Sequence, residues 1–126
     1  MRLLLDTATL IYAVVAPERL SKRAAGLLKN PRHVLEVSSI SLAEIAIKAN
    51  LGKLEISEAD ARQAILDLDA RILAYTSDHA LSLFGLPSHH RDPFDRQIIA
   101  QALFEEIPIL TPDDMFSLYR GLKVIW

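Results

Sequence analysis

The chain has 126 residues, about half of them apolar and a quarter charged, and it contains no cysteine. That length suits one domain, residues 1–126, with a core that needs no covalent staples, and the missing cysteine excludes a disulfide framework and a zinc–thiolate centre. The net charge of −2 conceals an asymmetry: residues 1–53 hold 8 Lys and Arg against 4 Asp and Glu, and residues 54–126 hold 6 against 12.

The basic half can offer phosphates a surface through Arg19, Lys22, Arg23, Lys29, Arg32, Lys48 and Lys53, or it can be scattered solvated charge. Met1-Arg2 leads straight into Leu3-Leu4-Leu5, too short an apolar run for a signal peptide. The run from Leu10 to Ala16 falls well below the roughly 20 residues a membrane span needs. The expectation is a soluble cytoplasmic protein.

Leu3-Leu4-Leu5 reads as a short strand buried on both faces. A helix follows from about Thr9 to Pro17, and Ser21 can cap a second through Leu28, stopped by Asn30-Pro31. Val34 to Ser38 is the second predicted strand. Ser41 opens a helix with Leu42, Ile45, Ala46 and Ala49 on one face, and Gly52 stands where a left-handed C′ residue belongs. Ser57 can cap a helix over Glu58 to Leu68. Arg71 to Tyr75 reads as a strand, and Ser77 can cap a helix ending near Gly85. Asp92-Pro93 starts a helix over Phe94 to Glu105 with Ile98, Ile99, Ala102 and Leu103 inward. Ile107 to Leu110 is a strand, Pro112 to Tyr119 a short helix and Leu122 to Trp126 a closing strand. This alternation predicts an α/β fold: a mostly parallel sheet of four to five strands between helices on both faces.

In such sheets ligands bind beyond the carboxyl ends of the strands. Four acids gather there by topology. Asp6 follows the first strand, Glu44 lies in the first turn after the second, Asp95 opens the helix at Pro93, and Asp113 follows Ile109-Leu110. Each has a structural reading. Ser41-Leu42-Ala43-Glu44 matches a capping box. Asp92 is a good N-cap with Pro at N1, and Asp95 at N3 favours the helix dipole. Thr111-Pro112-Asp113-Asp114 can be a cap with an acidic first turn. Asp6 has no such duty unless it serves the following helix.

Together these readings strain. Two carboxylates about 4 Å apart repel by roughly 4 kcal/mol at an effective dielectric of about 20. Four converging acids need protons or a cation, and oxygen ligands without cysteine suit Mg²⁺ or Mn²⁺. Such an ion acidifies water and neutralises charge on a phosphodiester oxygen.

At these residues the chain resembles PIN-domain proteins, and more narrowly the VapC-type toxin ribonucleases of type II toxin–antitoxin pairs. The matching stretches are Leu4-Leu5-Asp6-Thr7, Ser39 to Lys48 with Gly52-Lys53-Leu54, His89-His90-Arg91-Asp92-Pro93-Phe94-Asp95-Arg96 with Ile99-Ala100-Gln101-Ala102, and Leu110-Thr111-Pro112-Asp113 before Lys123-Val124-Ile125-Trp126. They span essentially the whole chain. The resemblance implies a three-layer α/β/α PIN-like fold, with Asp6, Glu44, Asp95 and Asp113 as the metal-binding acids and Thr111 as the hydroxyl beside the last of them. It implies Mg²⁺- or Mn²⁺-dependent hydrolysis of RNA by a metal-activated water, leaving a 5′-phosphate and a 3′-hydroxyl. It also implies a homodimer and a small, separately encoded antitoxin as partner.

Two residues depart from that pattern: Ala8 stands where many relatives carry His, and Tyr12 where Trp is frequent. His89-His90 is read as a surface or capping pair with a lesser option of phosphate contact, and Trp126 as core packing. A non-RNA phosphoesterase or DNA nuclease would use the same site chemistry, and two other readings compete with the nuclease. One is a catalytically silent PIN-like binding module, favoured by Ala8. The other is a receiver-type signalling domain, which normally pairs two acids at the first strand and places a Lys after the last; here Asp6 stands alone and Lys123 falls within the predicted final strand.

Overall fold

A computed structural model describes residues 1–126. The elements in order are β1 (Arg2–Leu5), α1 (Thr7–Val15), a 3-10 turn (Pro17–Arg19), α2 (Lys22–Lys29), β2 (Val34–Ser38), α3 (Ser39–Asn50), α4 (Glu58–Asp67) and β3 (Arg71–Leu73). They continue with α5 (Ser77–Ser82) and a 3-10 extension (Leu83–Gly85), α6 (Pro93–Glu105), β4 (Ile109–Leu110), a 3-10 turn (Asp114–Leu118) and β5 (Val124–Ile125). The five strands form one sheet in the order β3-β2-β1-β4-β5, and every pairing is parallel. This is the α/β architecture expected, with five strands and six helices. A receiver domain has the order 2-1-3-4-5, so the signalling reading fails on topology.

The alternation of side chains along β1 explains the layers. Leu4 points into a cluster with Ile98, Ile99, Ile109, Phe116 and Tyr119, whereas Leu3 and Leu5 pack with Ala24, Leu35, Leu110 and Ile125. A third cluster joins Leu10, Val37, Ile45, Ile56 and Ala64 under α3 and α4. Each fully buried Leu or Ile contributes about 1.5–3 kcal/mol. Of the α6 residues expected inward, Ile98, Ile99 and Ala102 are buried and Leu103 is half-buried.

Several predicted boundaries move, each for a local reason. The first helix starts at Thr7, not Thr9, because the Asp6 carboxylate accepts from Thr9 N and caps it. The third helix starts at Ser39, not Ser41, because Ser38 is its cap and accepts from Ile40 N. The Ser41–Glu44 capping box therefore does not form, and Glu44 lies in the second turn, not the first. Its far end is as expected: Gly52 adopts φ 71, with Lys53 N bonded to Lys48 O and Gly52 N to Ala49 O, a Schellman closure. The fifth helix is capped by Thr76 in place of Ser77.

The third strand stops at Leu73, since Tyr75 N donates to Ser39 Oγ and leaves the ladder. The fourth starts at Ile109, because Ile107 N still bonds to Ala102 O past left-handed Glu106. Pro112–Tyr119 is a 3-10 turn over Asp114–Leu118 capped by Asp113. The last strand is only Val124–Ile125, matched to two-residue β4, so Lys123 precedes it.

Candidate functional site

Strand order reverses at β1, with β2 and β3 to one side and β4 and β5 to the other. The crevice at such a switch point is where open parallel sheets bind ligands, and Asp6 and Thr111 stand immediately beyond β1 and β4, at its mouth. Both are buried. Thr111 Oγ1 donates to Asp6 Oδ2 at 2.6 Å. Thr9 donates to Asp6 Oδ1 from its amide at 2.8 Å and from its hydroxyl at 2.6 Å. Asp6 is thus held rigidly by three donors. Burial pushes its carboxyl up to about 6 although these donors pull it down, and Asp113 adds repulsion.

Glu44 reaches the crevice from α3. The α-helical period puts Ser41, Glu44 and Lys48 along one stripe. Ser41 is buried and accepts from Thr7 Oγ1 at 2.9 Å, tying α3 to α1. Glu44 is buried too, with Oε2 accepting from Lys48 Nζ at 2.6 Å and Oε1 buried without a partner. Lys48, read above as one of a phosphate-facing basic set, therefore spends its charge on Glu44. Arg19, from the same set, lies over the Tyr12 ring at 4.5 Å from its centroid.

Asp95 is the third residue of α6, behind the cap Asp92, which accepts from Phe94 N and Asp95 N. Its carboxyl rises to about 7, through burial first and then the charges of Asp92, Asp6, Glu44 and Asp113. That mutual repulsion is the sign that all four predicted acids share one field. Asp113 is half-buried; its amide donates to Thr111 Oγ1 at 3.1 Å and its Oδ1 accepts from Met115 N at 2.9 Å. Neighbouring Asp114 is exposed.

Two residues near the acids have contacts that the sequence reading did not assign: His90, read there as a surface or capping residue, and Arg96. His90 places Nε2 3.5 Å from Asp95 Oδ2 and Nδ1 2.7 Å from Tyr119 Oη. Arg96 Nη1 approaches the same hydroxyl at 3.4 Å. His90 is half-buried and His89 exposed, so the pair divides as adjacent side chains should. The position of His90 just before Asp92-Pro93-Phe94-Asp95 hinted at its approach to Asp95 alone. Trp126 is half-buried against the β1 layer and meets Tyr12 edge-on at 6.3 Å.

The donor set suits a hard divalent cation: carboxylate oxygens, a buried Glu44 oxygen lacking a partner, and an aspartate whose carboxyl is raised by burial and by its acidic neighbours. The side chains surround the crevice without closing on a point, for no three His, Asp or Glu groups are gathered tightly enough to hold one ion as they stand.

Fold and crevice define an α/β protein with an acid-lined switch point. The chain belongs to the PIN-domain family, whose profile matches residues 3–122, and nuclease activity is a general property of that family. Among similar solved structures, VapBC2 from Rickettsia felis bound to a promoter DNA fragment aligns with TM-score 0.75 and 19% identity, covering 100% of this chain and 99% of that one. DNA-bound VapBC from Salmonella typhimurium gives 0.68 and 16%, over 99% and 97%. VapBC-5 from Mycobacterium tuberculosis, a member of a family of toxin–antitoxin systems, gives 0.60 and 20%, over 98% and 97%. No curated protein matches the chain in sequence.

Proposed function

We propose that residues 1–126 act as one PIN-like nuclease domain, a metal-dependent endoribonuclease that is the toxin of a toxin–antitoxin pair. The observation that carries this reading is Asp95, held near neutrality by burial and by the charges of Asp92, Asp6, Glu44 and Asp113. Such a cluster is stable in its charged form only with a cation nearby. Mg²⁺ or Mn²⁺ held by Asp6, Glu44, Asp95 and Asp113 would supply the positive charge that draws in a phosphodiester and acidifies water. The chain's own residues set the geometry. Thr9 and Thr111 orient Asp6, Thr111 also holds the Asp113 amide, and the helix α6 amino end keeps Asp95 in place.

The toxin role and the separately encoded antitoxin draw support from the full-length likeness to chains of VapBC complexes. A homodimer is part of this proposal, and Phe84, the most exposed of the large apolar side chains, is the contact to test. No helix is long and apolar enough to cross a membrane, and the cytoplasm is the proposed compartment. The test is cleavage of total cellular RNA by purified protein with Mn²⁺ or Mg²⁺, beside Asp6→Asn and EDTA controls. Discrete products with 5′-phosphates from wild type alone are expected. No cleavage by folded, antitoxin-free protein under either metal would favour the silent binding module, whose support in the structure is Glu44 already paired with Lys48.

A further inference from the structure

The Glu44–Lys48 pair sits among the crevice acids. Lys48 Nζ lies 2.6 Å from Glu44 Oε2, one helical turn away. The two partners differ in freedom. Glu44 is buried at 4% exposure and cannot follow its partner outward. The Lys48 side chain is 41% exposed, on a flexible four-carbon stem that can carry its ammonium to water. Around that ammonium stand Asp92 and Asp95 as well as Glu44, and all three favour its charged form. A buried carboxylate left alone is costly, so Glu44 is more stable with a cation beside it.

We propose that Lys48 is an internal counter-ion that competes with the divalent cation for Glu44, so that loading the crevice is an exchange of one cation for another. The proposal rests on the reading of the acids as a cation site. In the metal-free protein the ammonium neutralises Glu44 and keeps the helix stripe from repelling α6. On loading it must release Oε2, and the exchange lowers metal affinity below what the four acids alone would give. Glu44 Oε1, buried without a partner, is the second carboxylate oxygen that an ion reaching the crevice would satisfy.

The experiment is a Mn²⁺ titration of RNA-free protein by calorimetry, comparing wild type with Lys48→Met and Lys48→Gln. Both variants should bind Mn²⁺ about tenfold more tightly, equivalent to about 1.4 kcal/mol, and both should melt below wild type in EDTA. Circular dichroism confirms that each remains folded, as expected for a half-exposed position. Binding by the variants alone would support the same competition in a stronger form. Wild-type binding with unchanged or weaker affinity in both variants overturns the role of Lys48 and leaves the cation site standing. Failure of all three proteins to bind Mn²⁺ removes the cation site and the Lys48 proposal together.

Discussion

Replacing Asp95 by Asn removes a charge that the fold holds against burial and four like-charged neighbours. An aspartate raised from 3.8 to about 7 has its charged form disfavoured in the folded chain by about 4 kcal/mol relative to the unfolded one. The sign follows from proton binding: the folded state holds the proton where the unfolded state has lost it, so stability falls as pH climbs from 3.8 through about 7. Above that window the penalty is fully expressed; at pH 4.5 little of it has accrued. Asn carries no charge at any pH. With partial relaxation by water and salt, Asp95→Asn should gain about 1–3 kcal/mol at pH 8 in EDTA, a rise in melting temperature of roughly 5–10 °C for a domain of this size. The gap should shrink to under about 1 kcal/mol at pH 4.5. Lowered carboxyls elsewhere, such as Glu105 beside His79, are common to both proteins and cancel in the difference. Thermal melts of the two proteins at both pH values suffice. An Asn protein that is less stable at pH 8, or a gap independent of pH, would refute the account of the cluster. The same variant should cleave no RNA.

Asp6→Asn should lose cleavage by at least about a hundredfold while keeping its circular dichroism spectrum, because Asn still caps α1 and Thr111 can reverse its hydroxyl toward the amide. Thr111→Val removes both the 2.6 Å donor to Asp6 and the acceptor of Asp113 N. It should cost about 1–3 kcal/mol in a denaturant melt and reduce cleavage tenfold or more, with Thr111→Ser restoring most of both. Cleavage at the wild-type rate by the Val protein would free Thr111 of any role. On the proposed homodimer, Phe84→Glu, at a site 92% exposed, should shift sedimentation from dimer to monomer without lowering the melting temperature; a wild-type protein that sediments as a monomer refutes the dimer.

The architecture was legible because it depends on patterns that few residues can blur. Leu3-Leu4-Leu5, Val34 to Ser38 and Ile109-Leu110 are short apolar runs between helix signals, and each became a parallel strand. Helix ends were harder, because Ser, Thr and Asp cluster before several helices and only the backbone chooses among them. Ser38, Ser39 and Ser41 could each have opened α3. Ser38 won as the cap, Ser39 serves Tyr75 N, and Ser41 was drawn inside to Thr7. The convergence of the four acids could be inferred from topology, since strand ends and helix starts share one rim. The Glu44–Lys48 pairing was visible as an i, i+4 spacing, but spacing does not say which lysine is drawn inward. The His90–Tyr119 contact spans 29 residues and had no local signal.

Two of the acids have structural duties, and the division is informative. Asp6 caps α1 and Asp113 caps the last 3-10 turn. Ser or Asn would do either task without a charge. Glu44 and Asp95 cap nothing: Glu44 lies inside α3, and Asp92 already caps α6. For the fold alone, an apolar or amide side chain at those two places would be cheaper, since burial and mutual repulsion both act against Asp95 as it stands. A cluster that costs stability, is anchored by threonine hydroxyls and contains one carboxylate oxygen without a partner fits the proposed site for a positive charge brought from outside. The Lys48 ammonium meets part of that need, at one oxygen of one acid. Asp95 retains its raised carboxyl even with the ammonium in place, so the remaining electrostatic deficit lies at the mouth of the crevice beside β1 and β4, where a phosphodiester and its counter-cation would meet.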